Sequence, residues 1–492
     1  MSEWHDCRML SFTSVSSGDS ARNPCLPRRH IRGILGALFL LAPTFPLLAA
    51  VQPNVLFIAI DDLGTWLGCY RDPQAKTPNI DRLAARAVLF DSAWCQYPLC
   101  NPSRASLLSG LRPDRTGVFD NTTPTRTHLG AVEFLPEFFK RQGWFTARVG
   151  KINHGKFEDA IAWDLSEKAT AGPGYQRPKL PARPEDAQAG ERVFLEGAAT
   201  ANRDEDEPDG HTARRVAELL ETHQSRRFFI AAGFGKPHLP FTAPKKYFDL
   251  HPAKDIALPQ VPSGGLKDTP RSALKPYPQD ASMTDADRRE LISAYHACVS
   301  FVDAQVGLIL DTLDRLQLAE KTIVVLFGDH GFHLADHGGM WSKHDLFAVS
   351  ARAPLLIAAP GKRSGEICPH PVEFLDLYPT LADLCGLPLP AHLQGVSLRP
   401  LLDDPKNEWR RAAFTQVGGA KEGGRSVQTQ RWRYTEWGTD GANGIELYDR
   451  HNDPGEFFNV AGNPRHAATV KVLRVQLHSG SAILPVLGIS LE

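Results

Sequence analysis

Neither charge sign is in excess here: 55 lysines and arginines stand against 56 aspartates and glutamates, a formal net charge of −1. Without a global positive field the chain has no general attraction for nucleic acid, and a polyanionic ligand would have to be met by local cations in a cleft. Cysteine is also sparse, eight in 492 residues. Cys7 and Cys25 fall in an N-terminal leader, which leaves Cys69, Cys95, Cys100, Cys298, Cys368 and Cys385. Their spacings match no zinc motif, and if Cys100 is chemically committed the other five cannot all pair, so a disulfide scaffold is excluded. Internal repeats and low-complexity tracts are missing too, which excludes a repeat array. What is present is a 42% hydrophobic, 23% charged chain, the balance of a soluble globular protein. Its length allows one large α/β domain with a smaller appendage.

Arg28, Arg29 and Arg32 precede the apolar run GILGALFLLAPTFPLLAA, which ends on Ala49 and Ala50. Basic, then apolar, then small is the order of a secretory signal. The run is near the minimum for a spanning helix and contains Pro43 and Pro46, so an uncleaved anchor is the alternative. The Arg28–Arg29 pair is only weak evidence for a twin-arginine route, and because residues 1–27 are long and polar for a leader the expected start is Met9 or later. The expectation is a secreted or periplasmic protein with no stable membrane insertion after cleavage.

The mature chain opens with NVLFIAIDD, a continuous apolar run closed by Asp61 and Asp62. A run apolar on both faces and rich in β-branched residues reads as a central parallel strand. Similar runs recur at 227–234, 322–331 and 354–361, and FTARVG before Lys151 is strand-like. Helical patterns lie between them, from Pro78 through PNIDRLAARAV and from about Asp285 to Leu318. Alternation of this kind predicts an α/β fold with a doubly wound, mostly parallel sheet between helices. Ligands bind such sheets beyond the carboxyl ends of the strands, where Asp61, Asp62, Asp329 and His330 fall. The Pro- and Gly-rich stretches 160–210 and 251–279 read as surface excursions that shape a pocket. After about Leu402 short pieces such as RWRYTEW and IELYD, with a helical stretch near 467–477, predict a small antiparallel subdomain.

The sharpest local signal is Cys100-Asn101-Pro102-Ser103-Arg104, followed by ASLLSG, which reads as a helix start. C-x-P-S-R is the sequence in which type I sulfatases have their cysteine oxidised to formylglycine. The chain resembles that family, within the alkaline phosphatase superfamily, from about Asn54 to Asn459: NVLFIAIDDLG, the run from Thr77 to Gly110, VGKINH, GKPHLPF, GDHG and ELYDRHNDPGEFFN follow in family order. Within that family the chain resembles the iduronate-2-sulfatase branch, in that two residues separate Lys151 from His154. The resemblance divides the chain into a leader (1–50), a sulfatase catalytic domain (51–402) and a small C-terminal α+β subdomain (403–492).

The resemblance implies a divalent ion held by Asp61, Asp62, Asp329 and His330, with the formylglycine oxygen from Cys100 as a further ligand. Hard carboxylate oxygens suit Ca²⁺, with Mg²⁺ possible. It implies that Arg104 holds the formylglycine diol and that Lys151 meets sulfate and formylglycine oxygens. His154 would be the base that triggers sulfate release, His238 would protonate the leaving oxygen, and Lys343 would bind sulfate. A hydrated aldehyde suits this chemistry: once one hydroxyl carries sulfate, the second can lose its proton and expel it. His333, His337 and His344 have no family role, and Lys236, Lys245 and Arg363 are unranked candidates for a uronate carboxylate.

The resemblance implies as partners a sulfated carbohydrate, with a 2-O-sulfated uronic acid as the expected substrate, and the formylglycine-generating enzyme or another maturase. Three alternatives stay open: a sulfatase for a small ester such as choline sulfate or an aryl sulfate, a phosphate or phosphonate monoester hydrolase of the same fold, and a sulfated-glycan binder without activity.

Overall fold

The structure is a computed structural model that describes residues 52–180, 196–419 and 423–480. The chain divides into two units, Met1–Ala50 and Val51–Glu492. The leader and its expected cleavage lie outside the described residues, and the second unit is described below.

Eight strands form the main sheet: β1 (Asn54–Ile60), β2 (Val88–Trp94), β3 (Phe145–Gly150), β4 (Leu165–Glu167), β5 (Phe228–Phe234), β6 (Thr322–Gly328), β7 (Leu355–Ala358) and β8 (Glu366–Glu373). Their spatial order is β8-β2-β7-β6-β1-β5-β3-β4. Every residue of β1 is buried, because side chains alternate between two covered faces. Leu56, Ile58 and Ile60 enter one apolar cluster, and Val55, Phe57 and Ala59 enter the other.

Helices α2 (Pro208–His223) and α3 (Asp285–Arg315) cover the first face, while α1 (Cys100–Ser109) and shorter helices cover the second. Helix α3 begins at Thr284, whose hydroxyl accepts the Asp287 N–H while the Asp287 carboxylate accepts the Thr284 N–H at 2.8 Å, a reciprocal cap. It is long and apolar enough to cross a membrane, yet most of it is buried in this core.

The doubly wound sheet matches expectation, with one reversal. The run at 354–361 does form a strand, β7, but it runs antiparallel to both β2 and β6. Continuous burial is the same for either direction, so an apolar run carries no sign of its polarity. The helical reading from Pro78 holds only to Ala84, since Val88 already begins β2. The excursion at 160–210 contains the edge strand β4 and ends where Pro208 opens α2.

The C-terminal part forms a separate antiparallel sheet of β9 (Ala413–Val417), β10 (Gly424–Gln428), β11 (Trp432–Trp437) and β12 (Ile445–Asp449) in simple meander order. Its first strand is tied to the end of β2: the Thr415 hydroxyl donates to the Cys95 carbonyl at 2.7 Å and the Gln416 N–H to the Gln96 carbonyl at 3.0 Å. The sheet therefore supports the segment that leads to Cys100.

Candidate active site

Two adjacent central strands deliver the acidic residues. Asp61 and Asp62 follow β1, and Asp329 and His330 follow β6. Asp62 has a φ of 60°, a conformation that Asp tolerates better than most residues. It is held there by its N–H donating to Asp329 Oδ1 at 3.1 Å and by the Tyr295 hydroxyl donating to its carbonyl at 2.8 Å. The third contribution comes from β3, which ends at Gly150 beside Gly233 of β5. A Cβ on Gly150 would lie 2.0 Å from the Gly233 carbonyl oxygen, and its φ is 84°. Glycine is required on both counts, and the close approach lets the Lys151 N–H donate to Gly233 at 3.1 Å.

Cys100 is the first residue of α1 and is 1% exposed. Its Sγ stands where a formylglycine oxygen would stand, 3.4 Å from His330 Nε2 and 3.7 Å from Asp62 Oδ1. The His330 Nδ1–H donates to the Gly331 carbonyl at 2.9 Å, so Nε2 keeps its lone pair toward the cluster. Asp61, Asp62, Cys100 and His238 offer ligand atoms within 4.8 Å of one another, and so do Cys100, Asp329 and His330. Three buried carboxylates with one imidazole nitrogen fit a hard divalent cation.

Lysines and one arginine surround these acids. Lys151 Nζ pairs with Asp61, and Lys343 Nζ with both oxygens of Asp62. Arg104, fully buried, donates to Asp329 Oδ2 (2.8 Å), Asp61 Oδ1 (3.1 Å) and the carbonyls of Lys151 and Ile152. It thus braces the acids from beneath, where the resemblance implied a diol contact. The Ser103 hydroxyl donates to the Asp329 carbonyl.

Charge states follow. Burial opposes ionisation of Asp61, but Lys151, then His238, Arg104 and Lys343 hold its carboxyl well below the usual range. Asp62 is likewise lowered, by Lys343 first among the cations. Burial, reinforced by Asp61, pushes the Cys100 thiol far up. As a plain cysteine it is a neutral thiol, a poor nucleophile.

His238 reaches in from a Pro-flanked loop. Its Nδ1–H donates to the Leu239 carbonyl at 2.8 Å and its Nε2 lies 3.9 Å from Asp62 Oδ2. His154 is partly buried next to Lys151; burial first, and the Lys151 charge second, bring its pKa down to about 4. Behind it Glu158 accepts the N–H groups of Ile152 and Asn153, both at 2.9 Å.

Sequence reading gave no role to several residues that organise this site, among them Tyr295, Ser103 and Glu158. Each acts through a backbone contact that only the fold creates. His333 is another. Its two nitrogens meet Asp336 and, at 3.0 Å, Asp345. Burial disfavours its charge, but those two carboxylates outweigh it and raise its pKa to about 10. The cluster fastens the segment that carries Lys343. His337 also donates to Asp336, and His344 Nε2 lies 3.1 Å from the Tyr97 hydroxyl. Of the candidates for a carboxylate, Lys236 points into its own loop, Lys245 pairs with Asp249 and Arg363 donates to the Asp403 carbonyl.

Acids at the carboxyl ends of central parallel strands, with a helix-initial residue and cations closing over them, define an alkaline-phosphatase-like α/β hydrolase. Residues 53–387 match the sulfatase family model, and residues 336–482 match the C-terminal region of N-sulphoglucosamine sulphohydrolase. The chain belongs to the sulfatase family, and it is an enzyme of that class. It is 34% identical to a sulfatase of Formosa agariphila over 88% of this chain and 87% of that one. It is 30% identical to human iduronate 2-sulfatase over 84% and 90%. A solved 2-O GAG sulfatase superposes with a TM-score of 0.66 at 26% identity, covering 87% of this chain and 92% of the other.

Proposed function

We propose that this sulfatase removes sulfate from a sulfated carbohydrate, specifically a 2-O-sulfated uronic acid, outside the cytoplasm. The observation that carries the chemistry is the convergence of Cys100 with Asp62 and His330, flanked by Lys151 and Lys343. The substrate rests on the likeness to the human iduronate 2-sulfatase and the 2-O GAG sulfatase.

Asp61, Asp62, Asp329 and His330 would hold Ca²⁺ or Mg²⁺, which when bound neutralises sulfate charge and acidifies the nucleophile. Formylglycine, made from Cys100 by a maturase, would supply the attacking oxygen. The neutral thiol described above cannot take its place. Lys151 and Lys343 meet the equatorial sulfate oxygens, where charge is spread in the transition state. Arg104 keeps Asp61 and Asp329 fixed, so the acids need not rearrange during the reaction. His238 gives a proton from Nε2 to the leaving oxygen. His154, neutral above about pH 4, accepts a proton when sulfate departs.

The test begins with the mass of the peptide containing Cys100 from a maturase-competent host, which should be lower by about 18 Da. A panel of 2-O-sulfated uronides, choline sulfate, an aryl sulfate and an aryl phosphate then reads the substrate. Preference for the uronide supports the proposal. Faster turnover of the choline or aryl ester overturns the sugar assignment, and an unchanged Cys100 in active enzyme overturns the nucleophile.

A further inference from the structure

Behind His238 lies a pair of charged residues that no reactive atom touches. Asp209, in the first turn of α2, is 3% exposed. Its Oδ1 accepts the Gly235 N–H and its Oδ2 the Lys236 N–H, both at 2.7 Å. Both oxygens are thus bound to the segment that leaves β5 toward His238. Lys236 closes the same segment from within, its Nζ donating to the carbonyls of Pro240 and, at 3.4 Å, His238. A carboxylate from the helix and an ammonium inside the loop therefore fix residues 235–240 from two sides. The loop in turn fixes the imidazole through the Leu239 carbonyl, which leaves Nε2 alone facing the cluster.

Tying a loop to a helix needs only one acceptor, and a buried carboxylate is a costly way to provide it. Two acceptor oxygens at fixed spacing hold two successive N–H groups, and so set the direction of the strand exit as well as its place. Burial pushes the Asp209 carboxyl up to about 6, so the group is retained against a desolvation cost.

We propose that Asp209 and Lys236 are positioning residues that aim His238 Nε2 at the leaving oxygen of the substrate. The inference rests on the role assigned above to His238. In that step the formylglycine oxygen from Cys100 would bond to sulfur as the S–O ester bond breaks, so that the sulfuryl group passes to that oxygen, the imidazolium Nε2–H proton passes to the ester oxygen, and an alcohol and a neutral imidazole remain. An alcohol leaving group needs this proton, whereas a nitrophenolate leaves without it. An error of aim therefore shows as a leaving-group bias, which a merely structural role would not produce.

The experiment uses the full chain with Cys100 conversion verified by mass. Asp209→Asn, which keeps the shape but replaces one acceptor oxygen by a donor, and Lys236→Met are compared with wild type on nitrophenyl sulfate and on an alkyl or sugar sulfate. The expected loss in kcat is at least about tenfold larger on the alcohol leaving group. His238→Ala should show the same bias, and adding Asp209→Asn to it should cost little more. Equal losses on both leaving groups, no loss on either, or full additivity with His238→Ala would overturn the inference. If Asp209→Asn lacks a cooperative melt, Lys236→Met decides alone. A converted wild type that releases sulfate from no ester sinks the sulfatase mechanism itself, an outcome distinct from equal losses in an active enzyme.

Discussion

Lys343 and Asp62 form one buried ion pair of the site. Lys343 meets both oxygens of Asp62, and burial of the pair makes each depend on the other. Lys343→Ala should reduce kcat for sulfate release by about 10²–10³, the usual loss for one transition-state donor. A fall of less than about tenfold would place that ammonium outside the reaction. Asp62→Asn should abolish calorimetric Ca²⁺ binding, because the site loses a charged ligand at its centre; unchanged affinity would move the ion elsewhere. That Cys100, Asp61, Asp62, Asp329 and His330 converge on one cluster was legible in the sequence because each is a chemical type at a strand or helix end. The place of Lys236 was not: in the sequence it is one of three unranked candidates for a uronate carboxylate, and only the loop's return path shows its ammonium among carbonyls.

At the scale of elements, the junction of β3 with β5 controls where Lys151 stands. Gly150→Ala would place a methyl against the Gly233 carbonyl in a left-handed conformation. It should cost more than about 2 kcal/mol of stability, read by urea unfolding. Sulfate release should fall with it, as Lys151 is displaced; a variant as stable as wild type would show that the backbone relaxes. The strand itself was legible from FTARVG, and β1 from NVLFIAI, since burial on both faces writes itself into composition. The reversal of β7 was not, because direction depends on which neighbour supplies the hydrogen bonds. The helix from Pro78 was overextended for a related reason: Ala85 to Val88 suits either state, and pairing of Val88 with Ile357 and Glu366 decides it.

Across the whole molecule, buried histidines set opposing pH limits. His251 and His296 stack in the core, and burial lowers both from 6.5 to about 4. Unfolded chains take up these protons near pH 6.5 while the native state refuses them, so stability should decline as pH falls from about 6.5 to 4. His333 works in the other direction: raised from 6.5 to about 10, it contributes fully below 6.5, and that contribution is lost as pH rises toward 10. A melting-temperature profile should therefore fall on both sides of neutrality, and His296→Phe should flatten the acid limb; an unchanged limb would assign it to carboxylates. Ca²⁺ at about a hundredfold excess over its Kd should add about 2.7 kcal/mol of stability, reversed by chelation. The sequence by itself determined the class of sheet and the residue types that converge at its carboxyl edge, Cys100 with Asp61, Asp62, Asp329 and His330, because each is written in neighbouring residues or strand-length burial. Only the tertiary structure decided which cation meets which acid, what Arg104 and Lys236 hold, and how His238 is aimed. Lys343 and Asp62 lie 281 residues apart along the chain, and only the packed sheet brings them within hydrogen-bond reach; the carbonyls that Lys236 meets are two and four residues away, yet only the folded path of the loop turns them toward its ammonium.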